Sequence, residues 1–498
     1  MRLGSPTSQS LRVGERTASK EAALRRSLAC LFILVLAWGS VAGAEAPSAE
    51  SLYRQGVALA VEGRGKEARK AFEAAVAADP SHVQALFSLG VLNDREGRLP
   101  EAEAAYRRAV KADPSLARGY VNLGSVLARQ GRSIEAEAAF QQALSQNPYM
   151  AEAYLNLGAV AANQGKLDEA IARLQRAIEI KPELVEAYVN LGAAYAAKAQ
   201  WSVALESYDR AAAIEPSQAL IHFHRGRALA HLGRYEEAIA SNRRALELNP
   251  RNAAAANNLG LALRRQGEVD EAVAAYQQAL LIDSTYSDAA YNLAVAYEHN
   301  TEGVRYGPGY RIDKAIATYR RTLTLDPDDL EARYNLGINL LRRKSYEEAR
   351  QTVEAVLAQQ PGYTKALVNR GVALHGLKRY KEAVADLRAA LAQDPRHTRA
   401  YVNLGIVYGE MGRQAEEIDA YKKAVAIDPS LAEAHLNLGA ALAHAGRLED
   451  AVAALKKALA HDANLADAHF NLSVIYNRLG FVREAAREEQ LYRAMANP

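Results

Sequence analysis

A small residue returns at a constant interval along almost the whole chain of 498 residues. The tripeptide Asn-Leu-Gly occurs seven times, and its last residue, or a small replacement for it, recurs every 34 residues. The thirteen occurrences are Gly56, Gly90, Gly124, Gly158, Gly192, Gly226, Gly260, Ala294, Gly337, Gly371, Gly405, Gly439 and Ser473. Only the step from Ala294 to Gly337 is longer, at 43 residues. This period predicts thirteen stacked supersecondary repeats, one of them with a nine-residue insertion, rather than independent globular domains.

Each repeat, numbered so that the small residue is position 8, carries the pattern of two helices joined by a turn. Apolar residues fall at helical spacing in the first half, as in Tyr188, Leu191 and Tyr195. Glycine at position 15 follows in nine repeats and suits a left-handed helix end. Alanines such as Ala170 and Ala177 in the second half allow close helix packing. Proline closes ten of the repeats, where it cannot continue the helix.

This pattern resembles the tetratricopeptide repeat (TPR) family, with its small residue at position 8, Ala at 20 and 27, a large apolar residue near 24 and Pro at 32. The resemblance covers residues 49–498 and implies an all-α, right-handed superhelical solenoid of antiparallel helix pairs, with the first helices on the concave face. Local departures include Glu417 at position 20 and Asn242 at position 24. The array is also similar to the repeat half of O-linked N-acetylglucosamine transferases. We expect no such catalytic domain, because the chain ends at Pro498 inside its last repeat.

The first 44 residues differ from the repeats. Arg25 and Arg26 precede an uncharged stretch, residues 27–44, whose end carries the small residues Ala42 and Ala44. A basic segment, an apolar segment and a small-x-small site together predict a secretory signal peptide over residues 1–44.

Cleavage after this signal would start the mature chain near Glu45, with residues 45–48 as a short linker before the solenoid. We therefore expect export to the periplasm or cell envelope. An uncleaved inner-membrane anchor is the alternative, since 18 uncharged residues lie at the lower edge of a membrane span. Residues 27–44 would then be the only membrane contact. The 45 Arg against 16 Lys indicate a bacterial coding bias.

Composition argues against catalysis and against nucleic-acid binding. Cys30 is the only cysteine, which excludes a disulfide framework and a Cys-ligated zinc site. No phosphate-binding loop, nucleophile elbow or zinc-protease helix occurs, so we expect no catalytic residue, no metal and no cofactor. Residues 1–44 carry a net charge of +4 from six basic and two acidic residues, which leaves −1 for the rest. Nucleic-acid binding would favour a basic excess.

The concave face predicts the binding site. Position 6 is Asn in ten repeats, and position 5 beside it is mostly apolar or aromatic. These asparagines are the candidate peptide-binding residues: Asn122, Asn156, Asn190, Asn258, Asn292, Asn335, Asn369, Asn403, Asn437 and Asn471. An amide offers both a donor and an acceptor to a peptide backbone. The alternative is that these asparagines form hydrogen bonds between the helices of the array itself.

The insertion in repeat 8 is the second candidate. Residues 299–311 contain three glycines and a proline, which predict a loop between the two helices of that repeat. Long loops on a scaffold often carry function, and a tolerated surface insertion is the alternative. The residues we expect in a contact are Arg305, Tyr306, Tyr310 and Arg311.

The sequence thus predicts an exported, non-catalytic scaffold that binds an extended protein segment in its concave groove. The rival hypothesis is an accessory subunit of an envelope polysaccharide or glycosyl-transfer system, whose array serves an enzyme partner or a glycan. Glycan binding would favour exposed Trp platforms, and Trp201 is the only Trp after the signal. Partner identity and oligomeric state stay open.

Overall fold

The computed structural model describes residues 47–496. The predicted signal peptide and the first residues of the linker lie outside this range. The described residues form 26 α-helices, two for each predicted repeat, and fall into two compact bodies.

The N-terminal body ends at Gln266, and its described residues form thirteen helices. They are α1 (Ala49–Val61), α2 (Gly65–Ala78), α3 (Val83–Arg95), α4 (Leu99–Ala112), α5 (Ala117–Arg129), α6 (Ser133–Gln146), α7 (Ala151–Asn163), α8 (Leu167–Ile180), α9 (Val185–Ala197), α10 (Trp201–Ile214), α11 (Ala219–His231), α12 (Tyr235–Leu248) and α13 (Ala253–Gln266).

The C-terminal body begins at Gly267 and contains the other thirteen described helices. They are α14 (Val269–Ile282), α15 (Ser287–Tyr297), α16 (Ile312–Leu325), α17 (Leu330–Arg342), α18 (Tyr346–Gln359), α19 (Thr364–Gly376), α20 (Tyr380–Gln393), α21 (Thr398–Glu410), α22 (Gln414–Ile427), α23 (Ala432–His444), α24 (Leu448–His461), α25 (Ala466–Leu479) and α26 (Val482–Ala496). The fold class is all-α, as the sequence predicted.

The two helices of a repeat pack closely because position 8 is small. A Cβ atom added to Gly124 in α5 would lie 2.6 Å from the ring of Phe140 in α6. The same arrangement places Gly192 under the ring of Tyr208. Ala170 and Ala177, at positions 20 and 27, are fully buried. Small residues at these positions let the helix axes approach, and the large residue at position 24 fills the space between them.

Position 15 ends the first helix in a left-handed conformation. All nine glycines predicted for this role have positive φ, between 69° and 95°. Repeats 5, 9 and 10 have Ala199, Lys344 and Lys378 at the same position, with φ of 57°, 63° and 59°. The backbone of the turn is therefore kept even where the residue carries a Cβ that disfavours it.

Within each body, the first helices of neighbouring repeats touch one another. Contacts join α3 to α5 and α5 to α7 in the N-terminal body, and α17 to α19 and α19 to α21 in the C-terminal body. Second helices of neighbouring repeats make no comparable contact among the described residues. The first helices therefore line the inner side of each stack. Across residues 47–496, every helix lacks the combined length and apolar character that crossing a bilayer requires.

Candidate functional site

In the C-terminal body, the first helices of repeats 9 to 11 carry partly exposed apolar residues at position 9. Ile338, Val372 and Ile406 hold this position in repeats 9 to 11, and each is partly exposed. Position 5 is different in repeats 10 and 11, where Val368 and Val402 are only 6% and 2% exposed. The apolar stripe in these repeats is thus formed by position 9 and not by position 5, which packs into the helix interface.

Some of the ten position-6 asparagines, called the asparagine row below, form hydrogen bonds within the fold. Asn335 in α17 is 7% exposed, and its amide donates to the hydroxyl of Tyr291 in α15 at 3.1 Å. That hydroxyl in turn donates to a carboxylate oxygen of Glu331 at 2.6 Å. These bonds join repeats 8 and 9, so Asn335 has a structural partner in the neighbouring repeat.

Asparagines of the row also form hydrogen bonds between neighbouring repeats in the N-terminal body. The Asn122 amide donates to the hydroxyl of Tyr106 at 3.3 Å, and the Asn156 amide donates to Ser125 Oγ at 3.2 Å. Both bonds cross from one repeat to the preceding one. Asn258 in this body, and Asn292 in the C-terminal body, are 4% and 1% exposed, too deeply buried to face a ligand directly.

Four other members of the row have a different environment. Asn190, Asn403, Asn437 and Asn471 are partly exposed, and their amides make no side-chain hydrogen bond to any residue between 47 and 496. Asn369 is also partly exposed, but its amide nitrogen is buried. Both donor and acceptor of Asn403 and Asn437 are therefore open to a partner, and these two lie in consecutive repeats, 11 and 12.

The insertion between α15 and α16 is organised around Glu298, whose side chain is fully buried. Its carboxylate accepts hydrogen bonds from Arg305 at 2.9 and 2.7 Å, from the Tyr319 hydroxyl at 2.9 Å and from the Asn339 amide at 2.7 Å. The backbone N–H of Tyr306 donates to the Glu298 carbonyl at 2.6 Å. One buried acid thus ties the loop to α16 and α17.

The tip of the loop is stabilised by aromatic and cationic contacts. The Arg342 guanidinium lies 3.9 Å from the centre of the Tyr306 ring, and Tyr310 packs edge-on against the same ring at 5.7 Å. Arg311 donates to Asp270 in α14 at 2.8 Å. The four loop residues predicted from the sequence are therefore held by internal contacts, although about half of the Arg305 side chain stays exposed.

Burial and the charge of Glu298 raise the pKa of two tyrosines around the insertion, Tyr319 in α16 and Tyr306 in the loop. Burial is the largest cause that raises the pKa of Tyr319 well above its ordinary value, and the Glu298 carboxylate adds to the shift. The pKa of Tyr306 is raised for the same two reasons. Sequence reasoning missed Glu298, Tyr319 and Asn339. The available signal was an acidic residue at position 12 of repeat 8, where six other repeats have Ala.

Two buried histidines have structural partners. His435 shares a hydrogen bond with the Pro429 carbonyl at 3.0 Å, and His469 lies against a carboxylate oxygen of Glu488. In the part of the chain that the structure describes, no three His, Cys, Asp or Glu side chains are grouped to hold a metal ion.

Comparison with models of known protein families shows which family the chain belongs to. Tetratricopeptide repeat models match residues 53–117, 117–149, 139–172, 162–198, 226–267, 260–300, 310–370, 363–430, 420–453 and 441–480. A stack of helix pairs with this periodicity is a repeat scaffold for protein interactions. The chain belongs to the tetratricopeptide repeat family, as the residue pattern predicted.

Solved structures with local similarity include other TPR proteins. YrrB, described as a TPR protein with an unusual peptide-binding site, is 24% identical over 39% of this chain and 96% of its own, with a TM-score of 0.34. MamA is 26% identical over 34% of this chain and 93% of its own, with a TM-score of 0.31. A chain of the APC/C heterotetramer Cut9–Hcn1 is 14% identical over 85% of this chain and 95% of its own, with a TM-score of 0.41. No curated protein matches the sequence.

Proposed function

We propose that the C-terminal body binds an extended polypeptide segment along the inner surface of α19, α21 and α23, and that the protein is a non-catalytic scaffold. The observation that carries this proposal is the pair Asn403 and Asn437, whose amides are partly exposed and have no partner within the described fold. Partly exposed apolar residues at position 9, Val372 and Ile406, flank them.

The spacing between asparagines on neighbouring first helices suits a polypeptide backbone. Packed helices lie about 8–10 Å apart, and an extended chain advances about 3.3 Å per residue. One amide per repeat can therefore meet the backbone of about every third ligand residue. The amide pairs with N–H and C=O groups that every peptide has, so it contributes affinity with little dependence on ligand sequence. Contacts at position 9 would supply the preference for apolar ligand side chains.

The test uses peptides of twelve residues selected from a random phage-displayed library against the full chain. A selected peptide, labelled with fluorescein, is titrated with the protein and its anisotropy is recorded. The double variant Asn403→Ala/Asn437→Ala should weaken binding at least about tenfold, since it removes several hydrogen bonds of about 0.5–1.5 kcal/mol each. Thermal unfolding should stay unchanged, because neither amide has an internal partner.

Two further variants separate binding from folding. The double variant Gln359→Ala/Gln393→Ala removes two exposed amides from the ends of second helices, α18 and α20, and should bind like the original protein. Asn335→Ala should lower the unfolding temperature, because it breaks the bond to Tyr291. Unchanged affinity in the Asn403/Asn437 variant would disprove the groove proposal.

We further propose that the protein acts in the cell envelope after removal of residues 1–44. The support is the sequence alone, since these residues lie outside the described structure. Amino-terminal sequencing of the native protein from fractionated cells should find a start near Glu45 outside the cytoplasm. A soluble cytoplasmic pool that retains Met1 would disprove export.

A further inference from the structure

The turns that join the two helices of repeats 9 and 10 are more basic than the other turns of this kind. Between positions 13 and 21, the net charge is +2 in each of these two repeats and between −2 and +1 in the ten other repeats without an insertion. The turn of repeat 9 contains Arg342 and Lys344, and that of repeat 10 contains Lys378 and Lys381. Positive charge is therefore concentrated at one edge of the C-terminal body, in a chain whose residues 45–498 carry a net charge of −1.

Most of this charge is not neutralised within the fold. Lys344, Lys378 and Lys381 are exposed and form no ion pair with any residue from 47 to 496. Lys344 and Lys378 also hold position 15, where nine repeats have Gly, with φ of 63° and 59°. A residue with a Cβ is strained in this conformation and Gly is not. Two neighbouring turns thus keep an unpaired lysine where Gly would relieve strain, and strain of this kind points to a function.

The basic turns adjoin the insertion of repeat 8. The Arg342 guanidinium lies 3.9 Å from the centre of the Tyr306 ring, which joins the loop to the end of α17. The ring of Tyr346, at the start of α18, packs against the end of α19, where a Cβ atom added to Gly376 would lie 2.5 Å from it. The loop and the two turns therefore form one continuous surface. This surface, called the basic edge below, comprises residues 299–311, 342–346 and 376–381.

The loop adds an apolar tip to this charge. Val304 is 51% exposed, although its backbone is fixed. Its N–H donates to Asn300 Oδ1 at 2.8 Å, and its carbonyl accepts from the Asn300 N–H at 3.0 Å. Tyr306 and Tyr310 of the same loop are partly exposed. An aliphatic side chain and tyrosines next to unpaired lysines match the boundary between phospholipid headgroups and acyl chains.

We propose that the basic edge docks on a membrane surface that contains anionic phospholipids. The lysines face the lipid phosphates, and Val304 enters the upper part of the acyl region. A nucleic acid would pair with the lysines but would leave Val304 in water, which favours the lipid surface. Because Glu298 holds the loop in place, little conformational freedom is lost on docking. This surface is separate from the peptide groove proposed above, and either can fail without the other.

The test is co-sedimentation with phospholipid vesicles. It uses residues 45–498, the mature chain proposed above, so that the apolar segment 27–44 cannot bind lipid by itself. The vesicles consist of phosphatidylcholine alone or of a mixture of phosphatidylcholine and phosphatidylglycerol. The protein should sediment only with the mixed vesicles, and sodium chloride should release it, because salt screens the attraction between exposed charges.

Lys344→Gln/Lys378→Gln should weaken binding at least about tenfold, since each lysine near an anionic surface contributes about fivefold. The matched control Lys422→Gln/Lys457→Gln removes the same charge from exposed positions of α22 and α24 and should bind like the original protein. Val304→Ser keeps every charge and should weaken binding at least about threefold, because it removes the apolar contact. Circular dichroism checks that each variant is folded.

Several results would overturn the proposal. They are the absence of sedimentation with the mixed vesicles, equal sedimentation with both kinds of vesicle, equal losses in the two lysine variants, or undiminished binding by Val304→Ser. Equally strong binding to a DNA duplex or to polyglutamate would assign the basic edge to soluble polyanions and not to a membrane. Release by sodium phosphate beyond that caused by sodium chloride of equal ionic strength would assign it to free phosphate.

Discussion

Glu298 should hold the insertion of repeat 8 in place. The Glu298→Ala substitution removes a carboxylate that is fully buried and accepts bonds from Arg305, Tyr319 and Asn339. The Tyr319 hydroxyl would then be buried without its acceptor, and Arg305 would lose its counter-ion. The Asn339 amide would keep only its bond to the Asn335 carbonyl at 2.9 Å.

The magnitude follows from these contacts. Loss of one member of a buried ion pair costs about 3–5 kcal/mol, because the remaining polar groups are left uncompensated. Arg305 is about half exposed and can be hydrated, which favours the lower end of that range. At 1.4 kcal/mol for each factor of ten, local opening should become about 100-fold or more easier. Glu298→Gln keeps one acceptor oxygen and should show a smaller effect.

Hydrogen exchange measures this opening directly and avoids a global unfolding free energy, which is poorly defined for a repeat array. The reporters are the amide of Tyr306, bonded to the Glu298 carbonyl, and the amide of Arg311, bonded to the Tyr297 carbonyl at 3.0 Å. Both should exchange about 100-fold faster in Glu298→Ala. The control Glu302→Ala removes an exposed acid from the same loop and should leave both rates unchanged. Unchanged rates in Glu298→Ala, or an equal effect of Glu302→Ala, would refute the anchoring role.

Three other substitutions test the repeat geometry. Lys344→Gly should stabilise the C-terminal body by about 0.5–1 kcal/mol in thermal unfolding, because relief of the left-handed strain at φ 63° exceeds the entropy cost of glycine. Asn242→Leu should stabilise the N-terminal body by about 1–3 kcal/mol, since it removes a buried carbonyl oxygen without a partner. Burial raises the pKa of Glu417, so protonation favours the folded state and the associated stability is lost as pH rises through the folded-state pKa. Glu417→Gln should therefore raise the melting temperature at pH 7 and leave it nearly unchanged below the ordinary Glu pKa of about 4.3. A lower melting temperature in any of the three variants at pH 7 would contradict the packing described above.

The fold could be predicted because the same pattern of small, apolar and turn-forming residues recurs in thirteen repeats. Gly124, for example, must be small because the ring of Phe140 lies against it. A close contact between positions 8 and 24 recurs with the 34-residue period. The left-handed turn was predictable from its nine glycines. Ala199 gave no such signal, because the neighbouring helices impose the turn on a residue that does not favour it.

The candidate site was only partly predictable, because the role of an asparagine depends on what lies across the repeat boundary. Asn335 and Asn403 hold the same position in identical tripeptides. Tyr291 lies within reach of the first, and no described side chain bonds to the second. The loop was located from its glycines, but its anchor Glu298 was missed because its bonding partners come from residues 7 to 41 positions away.

Binding surfaces in such an array should lie where the polar groups of one repeat find no hydrogen-bond partner in the preceding repeat. Where the preceding repeat offers a partner, as Tyr106 does for Asn122, the polar groups of the inner surface are used within the stack. Where it offers none, as for Asn403, polar groups keep unused hydrogen-bonding capacity. A ligand that completes those bonds competes with water and not with the fold, so it can bind without destabilising the stack. The repeats whose inner-surface polar groups find no partner in the preceding repeat are therefore the ones in which recognition residues can change while the helix packing is preserved.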